Sequence, residues 1–149
     1  MTGSEMLALA QREFEALDAL LARLRPEDWS RPVPRPETRD PWTVKDAVAH
    51  VVFWKQSTAR YIRGERRPLE DKGLNGTVLN HRVYLRWRGR TPAEIMAWHR
   101  AVHEEVLAAL KARPESYFSG RKRTPGWLSD LHCHSAGHRH RDIEAALTT

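Results

Sequence analysis

The sequence of 149 residues contains a single cysteine, Cys133. An intramolecular disulfide and any zinc site built from paired cysteines are therefore excluded. No run approaches the roughly 18 apolar residues of a membrane span, and the amino-terminal segment lacks the layout of a signal peptide. We therefore expect a soluble, cytoplasmic protein with no membrane partner.

Acidic charge is scarce: 19 Asp and Glu stand against 25 Lys and Arg, which leaves a net charge of +6. Such an excess can indicate nucleic-acid binding. The basic residues concentrate at 63–67 and 121–123, but no nucleic-acid-binding motif surrounds either run. An arginine-rich surface explains the charge without a nucleic-acid partner, and we favour that interpretation.

Motifs of several enzyme classes are missing as well. The sequence has no GxSxG, no phosphate-binding glycine loop, no HExxH and no dinucleotide fingerprint. The histidine string that begins at His132 resembles a binuclear hydrolase motif but lacks the aspartate such a motif needs. These absences exclude the corresponding serine-hydrolase, nucleotide-binding and zinc-protease interpretations.

Four helices are predicted from apolar periodicity and from capping residues. Apolar stripes place the first three at about 7–25, 43–64 and 91–113, and the last at about 127–147. The second and third begin with Thr-Val-Lys-Asp and Thr-Pro-Ala-Glu, in which the threonine and the acidic residue can form a capping box.

Long connectors separate these helices. Residues 25–42 contain five prolines and are expected to form neither helix nor central strand. Residues 65–79 are predicted to be an irregular crossover, 80–87 a short helical lead-in, and 114–126 a second loop. Without a strand pair or an internal repeat, the pattern predicts an all-α four-helix bundle with long crossover loops, forming one domain over residues 1–149.

The last predicted helix contains half of the eight histidines, namely His132, His134, His138 and His140. At 3.6 residues per turn, His134 and His138 lie about 40° apart on one face, while the other two and Cys133 point away from it. A metal site needs at least one more ligand from a neighbouring helix. His50, beside the apolar stripe of the second helix, is the candidate.

Structural roles for the histidines stay open at this point. His50 can instead be a core histidine bonded to a backbone carbonyl or a carboxylate, because a buried unsatisfied imidazole costs roughly 1–3 kcal/mol. His99 and His103 are also four residues apart, but they flank the apolar stripe of the third helix among charged neighbours. We expect these two to be solvated or to form hydrogen bonds between helices.

Several segments together resemble the DinB-like superfamily, and most closely its ClbS/DfsB branch, over about residues 5–147. They are DWS, PWTVKDAVAHVVFWKQ, LNHRVYLRWRGRTPAEIMAWHRAVHEEVLAAL and WLSDLHCHSAGHRHRDIEAAL. The resemblance implies an up-down-down-up bundle that often forms homodimers. In metal-binding members, one histidine of helix two and an HxxxH pair of helix four hold a divalent ion, usually zinc or nickel. Carried over, the ligands are His50, His134 and His138.

The resemblance also implies a class of activity. Members transfer thiols, isomerise with the help of a thiol, or hydrolyse small molecules, and the ClbS branch protects against a reactive small molecule. That branch leaves two other arrangements open: a ligand set of His50, His138 and Asp142, or no metal at all. Asp142 can also orient a histidine ligand from outside the site.

The sequence therefore predicts a metal-dependent hydrolase or thiol transferase that acts on a small molecule, in which three neutral ligands leave a coordination position open for catalysis. The alternative is a metal-free bundle that sequesters a ligand, or dimerises through its tryptophan-rich helices, without catalysis.

Overall fold

The structure is a computed structural model that describes residues 1–119 and 126–148. The α-helices of this part of the chain are α1 (Gly3–Ala22), α2 (Val44–Ile62), α3 (Gly76–Trp87), α4 (Pro92–Ala112), α5 (Glu115–Ser119), α6 (Cys133–His138) and α7 (Ala145–Leu147). Short 3₁₀-helices occur at Pro26–Ser30, Leu69–Asp71 and Gly126–Leu131, and a π-helix over Arg139–Glu144 joins α6 to α7. Among the helices described, none is both long and apolar enough to cross a membrane.

Side-chain caps set the starts of α2 and α4. The Thr91 hydroxyl accepts a hydrogen bond from the Glu94 backbone N–H at 3.1 Å, and the Glu94 carboxylate accepts one from the Thr91 N–H. The same reciprocal pair joins Thr43 and Asp46, where the Thr43 N–H donates to the carboxylate at 2.8 Å. Both predicted capping boxes are present, and they satisfy N–H groups that a helix start leaves without partners.

Helix α2 lies at the centre of the bundle. It packs most extensively against α4, and it also contacts α3, α6 and the 3₁₀-helix at Gly126–Leu131. Because several elements cover it, residues on most of its faces are buried, including Val44, Ala47, Val48, Val51, Val52, Ala59 and Ile62. His50 therefore lies in the interior, with only 2% of its surface exposed.

The all-α bundle is confirmed, but the connectors contain more helix than the sequence predicted. The proline-rich connector begins with a 3₁₀-helix at Pro26–Ser30, which its proline tolerates because the first helical position needs no N–H donor. The predicted irregular crossover ends early, since α3 begins at Gly76, where the Asn75 side chain accepts a hydrogen bond from the Val78 N–H. The short helix α5 occupies part of the predicted loop 114–126.

The last predicted helix is not continuous. A 3₁₀-helix ends at Leu131, and His132, with φ −141° and ψ −74°, breaks the helical path before α6 begins at Cys133. A π-helix then follows from Arg139. Such π-helical turns occur often at functional sites. The segment thus changes its helix type on both sides of the stretch that carries His134 and His138.

The proline-rich connector folds back on itself beside the start of α2. An isolated antiparallel bridge pairs Pro32 with Thr43, and the Val33 N–H donates to the Trp42 carbonyl at 2.9 Å. Trp42 is 2% exposed and anchors this loop in the core. The loop closed by the bridge holds Glu37 in the vicinity of α2.

His99 and His103 are buried between α1 and α4, so the prediction of a solvated position is wrong. His103 Nε2 lies 2.8 Å from Gln11 Oε1, which confirms the interhelical hydrogen bond for this residue. Phe14 stacks on both rings, with centroids 4.8 Å from His99 and 3.6 Å from His103. The aromatic face of Phe14 explains why two histidines that flank the apolar stripe are still covered.

Candidate metal centre

Three imidazoles converge inside the bundle, His50 from α2 and His134 and His138 from α6. The ring centroids lie 5.3 Å apart for His50 and His134, 4.7 Å for His50 and His138, and 4.5 Å for His134 and His138. The Glu37 carboxylate reaches the same point from the proline-rich connector. One potential ligand atom from each of the four residues lies within 4.8 Å of every other.

The spacing of these atoms suits one divalent ion. Glu37 Oε2 lies 3.0 Å from His138 Nε2 and 3.4 Å from His50 Nε2, and the Nε2 atoms of His134 and His138 are 3.0 Å apart. Ligand atoms about 2.0–2.1 Å from a tetrahedral zinc ion stand about 3.3–3.4 Å from one another. These three separations match this value to within a few tenths of an ångström, and the widest spacing in the group is 4.8 Å.

His50 lacks the partner that a structural core histidine would have. Within the described residues, neither of its ring nitrogens has a hydrogen-bond partner, and the 3.4 Å contact with Glu37 lacks hydrogen-bond geometry. An unsatisfied buried imidazole costs roughly 1–3 kcal/mol. A bound cation would offset that cost, so the residues present fit a metal ion.

Asp142 contacts His138 on the side of the ring away from the cluster. Its carboxylate accepts a hydrogen bond from His138 Nδ1, which directs Nε2 toward His134 and Glu37. This is the carboxylate–histidine arrangement that fixes the tautomer of metal ligands. Of the two roles open to Asp142, the geometry favours that of an orienting partner, since the converging group does not include its carboxylate.

A second carboxylate, that of Asp130, lies next to His134. Asp130 Oδ1 lies 3.3 Å from His134 Nδ1, and Asp130 Oδ2 accepts a hydrogen bond of 3.0 Å from the Thr58 hydroxyl on α2. Asp130, His134, His138 and Asp142 therefore repeat every four residues, and each histidine has a carboxylate on its outer side. This repeat was visible in the sequence, and it could have identified Asp130.

The electrostatics of the cluster differ from one histidine to the next. Burial lowers the pKa of His138, but the hydrogen bonds to Asp142 and Glu37 outweigh it and raise this pKa to about 9. Burial, together with the neighbouring histidines, lowers the pKa of His134 to about 4, and burial also lowers the pKa of His50. The contact with His138, together with the nearby ring of His50, holds the pKa of Glu37 well below its usual range.

The remaining residues singled out in this segment lie outside the cluster. His140 is exposed, with Nδ1 3.1 Å from a Glu144 carboxylate oxygen, and His132 is partly buried before α6. Cys133 is exposed and directs its thiol toward the Ser129 carbonyl. Sequence reasoning missed Glu37, because a residue in an extended loop carries no periodicity that would reveal its direction.

Trp42 borders the cluster, and so does a cavity. The Trp42 ring lies 4.7 Å from the His50 ring and 5.8 Å from the His138 ring, which shields that side from water. A cavity of about 530 Å³ opens on another side and is lined by Pro34, Arg35, Glu37, His138, Arg141, Asp142 and Ala145. Its volume is typical of small-molecule sites.

The sequence profile of the mycothiol maleylpyruvate isomerase N-terminal domain matches residues 10–127. The chain belongs to this family. The match includes Glu37 and His50 and ends before α6, so it does not extend to His134 and His138. No curated protein sequence matches the chain.

Solved structures share the fold of this family member at low sequence identity. An uncharacterised protein from Escherichia coli UTI89 is 17% identical, with a TM-score of 0.73 over 94% of this chain and 92% of that one. The colibactin self-resistance protein ClbS, in complex with double-stranded DNA, is 12% identical, with a TM-score of 0.71 over 93% and 94%. DfsB, a sibling lethal factor precursor, is 14% identical, with a TM-score of 0.74 over 99% and 96%. The resemblance to the DinB-like superfamily is confirmed in family and fold.

Proposed function

We propose that this chain binds one divalent metal ion through His50, His134 and His138, with Glu37 completing the set, and acts as an enzyme on a reactive small molecule. The observation that carries the proposal is the convergence of three imidazoles, one of which has no hydrogen-bond partner among the described residues. Zinc and nickel are the metals we expect, because neutral imidazoles suit both.

The chain's own groups have separate tasks in this proposal. Asp142 holds a proton on His138 Nδ1, so Nε2 is the nitrogen that would lose its proton and coordinate the ion. Trp42 excludes water from one side. Glu37 is the one exposed member, with 54% of its side chain accessible, so it is the donor that a substrate would displace and a candidate to accept a proton. The ion, when bound, supplies a Lewis acid that activates a water or a thiol for hydrolysis or thiol addition.

Metal analysis of protein purified without a histidine tag tests the proposal. We expect close to one zinc or nickel ion per chain by inductively coupled plasma mass spectrometry. His50→Ala and His134→Ala should lose the ion, whereas His140→Ala, which removes an exposed histidine of the same segment, should keep it. Wild-type protein that stays empty in excess zinc and nickel would contradict the proposal.

An empty protein would favour the metal-free alternative, a bundle that sequesters a ligand or dimerises. Size-exclusion chromatography with light scattering distinguishes these two possibilities by the mass of the particle. Whether the chain is a homodimer stays a prediction from the resemblance, and the metal proposal does not depend on it.

Binding to double-stranded DNA also needs a test, because ClbS was solved with DNA and this chain carries a net charge of +6. The exposed basic run at residues 63–67 is partly neutralised, since Arg63 pairs with Glu65 at 2.8 Å. We therefore expect no binding to a DNA duplex in fluorescence anisotropy at about 150 mM salt, where exposed charges are largely screened. Tight binding with a steep dependence on salt would instead show a phosphate-contacting surface.

A further inference from the structure

The cavity beside the candidate metal centre contains two arginines, Arg35 from the proline-rich connector and Arg141 from the π-helix. Both side chains are exposed at its edge. Within the described part of the chain, neither lies within ion-pair distance of a carboxylate. Two arginines thus line a cavity of small-molecule size, and no carboxylate of the described residues pairs with either of them.

The acidic groups that line the same cavity are already engaged. Glu37 Oε2 lies 3.0 Å from His138 Nε2, and the Asp142 carboxylate accepts the His138 Nδ1 proton. Both carboxylates are therefore turned toward the histidine cluster. The charge left to attract a ligand is positive, and a divalent ion at the cluster would add to it.

Gly137 explains the position of the Arg141 guanidinium. A Cβ atom at Gly137 would lie 2.6 Å from Arg141 Nη2, closer than real Cβ contacts allow. Arg141 Nε also donates to the Gly137 carbonyl at 3.3 Å. A glycine within a helix costs roughly 1 kcal/mol relative to alanine. Here the missing side chain lets the arginine lie back over α6, beside the cavity.

We propose that Arg35 and Arg141 form an anion-binding subsite that holds a carboxylate, sulfonate or phosphate group of the small-molecule ligand while its reacting end reaches the histidine cluster. Guanidinium groups suit this task because they present several N–H donors in a plane and stay charged at all physiological pH values. The assignment rests on the proposed function and adds the charge class of the molecule that the cavity accepts.

Two thiols that differ only in charge test the subsite. Protein loaded with Co²⁺ is titrated with 3-mercaptopropane-1-sulfonate and with the neutral 3-mercaptopropan-1-ol, and the cobalt–thiolate absorption band gives each dissociation constant. We expect the sulfonate to bind about tenfold more tightly, equivalent to about 1.4 kcal/mol. Arg141→Gln should remove most of this preference and Arg35→Gln part of it, with little change for the neutral thiol.

Two further variants test whether the preference for the sulfonate depends on where the arginine side chains lie. Gly137→Ala should reduce the preference by displacing the Arg141 guanidinium, and Arg39→Gln, an exposed arginine of the same connector outside this cavity, should leave it unchanged. Equal binding of both thiols by wild type, or an undiminished preference in Arg141→Gln, overturns the subsite.

A protein that binds no cobalt would contradict the proposed function, not the subsite. In that case calorimetric titration of the metal-free protein with propane-1-sulfonate tests the subsite by itself. Binding that weakens in Arg141→Gln but not in Arg39→Gln supports the subsite, whereas no binding by wild type, or the same affinity in all three proteins, overturns it.

Discussion

Asp142 determines which nitrogen of His138 faces the other two imidazoles, because its carboxylate accepts the Nδ1 proton. In Asp142→Asn the amide cannot fix the tautomer as a carboxylate does. We expect metal affinity to fall by about 10–100-fold, the usual effect of losing such an outer partner. Competition with a chromophoric chelator measures the change, and His140→Ala serves as the control that should retain wild-type affinity. Unchanged affinity in Asp142→Asn would show that the carboxylate has no orienting role.

Lys55 on α2 is a second residue whose charge can be measured, because it makes the stability of the fold depend on pH. It is 6% exposed, and burial lowers its pKa to about 8, against an opposing attraction from Glu13. Below pH 8 the amine is charged in both the folded and the unfolded state, so the fold carries the full penalty of burying the charge. Between pH 8 and the unfolded-state pKa near 10.4, only the unfolded chain keeps the proton, and stability rises with pH.

Lys55→Met removes this charge and retains similar volume. We expect it to raise the free energy of unfolding by about 2–3 kcal/mol at pH 7, since one pKa unit corresponds to about 1.4 kcal/mol, and by less as the pH approaches 10. Urea denaturation at pH 7, 8.5 and 10 provides the comparison. Lys111→Met replaces an exposed lysine and should show neither effect. If Lys55→Met is less stable than wild type at pH 7, the ammonium group has a compensating partner.

At the level of elements, the capping box of α4 contributes to stability without contributing to the site. In Thr91→Ala the Glu94 N–H loses its partner, and we expect a loss of about 1 kcal/mol, or about 2–4 °C in melting temperature. Metal content should be unchanged, because α4 carries none of the four converging residues. Thr77→Ala, at an exposed position of α3, should stay within about 0.5 kcal/mol of wild type. A Thr91→Ala protein that loses its metal would show that α4 supports the centre.

The helices that the sequence predicted well are those with a strong local signal. Helices α2 and α4 have both an apolar stripe and a capping box, so their starts were placed correctly. Helix α3 has two buried residues, Leu79 and Val83, and two glycines and a proline precede it, so only its residues 80–87 were expected to be helical. The break at His132 was also missed, because nothing in the local pattern opposes a continuous helix there.

In the candidate metal centre, too, the residues that the sequence revealed are those with a local signal. His134 and His138 could be paired from spacing alone, and His50 stood out as a polar residue in an apolar stretch. Glu37 could not be found, since its position depends on how a proline-rich loop closes through the bridge between Pro32 and Thr43. Helical periodicity is local information, whereas the direction of a loop follows from tertiary packing.

For the whole molecule, the site joins parts of the chain that are nearly 100 residues apart, the connector and α2 on one side and α6 on the other. Metal binding should therefore stabilise the complete fold and not only one element. At a free concentration about 100 times the dissociation constant, a ligand that binds only the folded state adds about 2.7 kcal/mol, which corresponds to about 5–10 °C for a chain of this size.

Differential scanning calorimetry with and without zinc or nickel measures this effect. We expect a single transition, in keeping with the predicted single domain over residues 1–149, and an upward shift on adding metal to wild type but not to His134→Ala. The shift should shrink at pH 5, because protons compete with the ion for the imidazoles. Two transitions of which only one responds to metal would contradict the single domain, and an equal shift in His134→Ala would place the ion elsewhere.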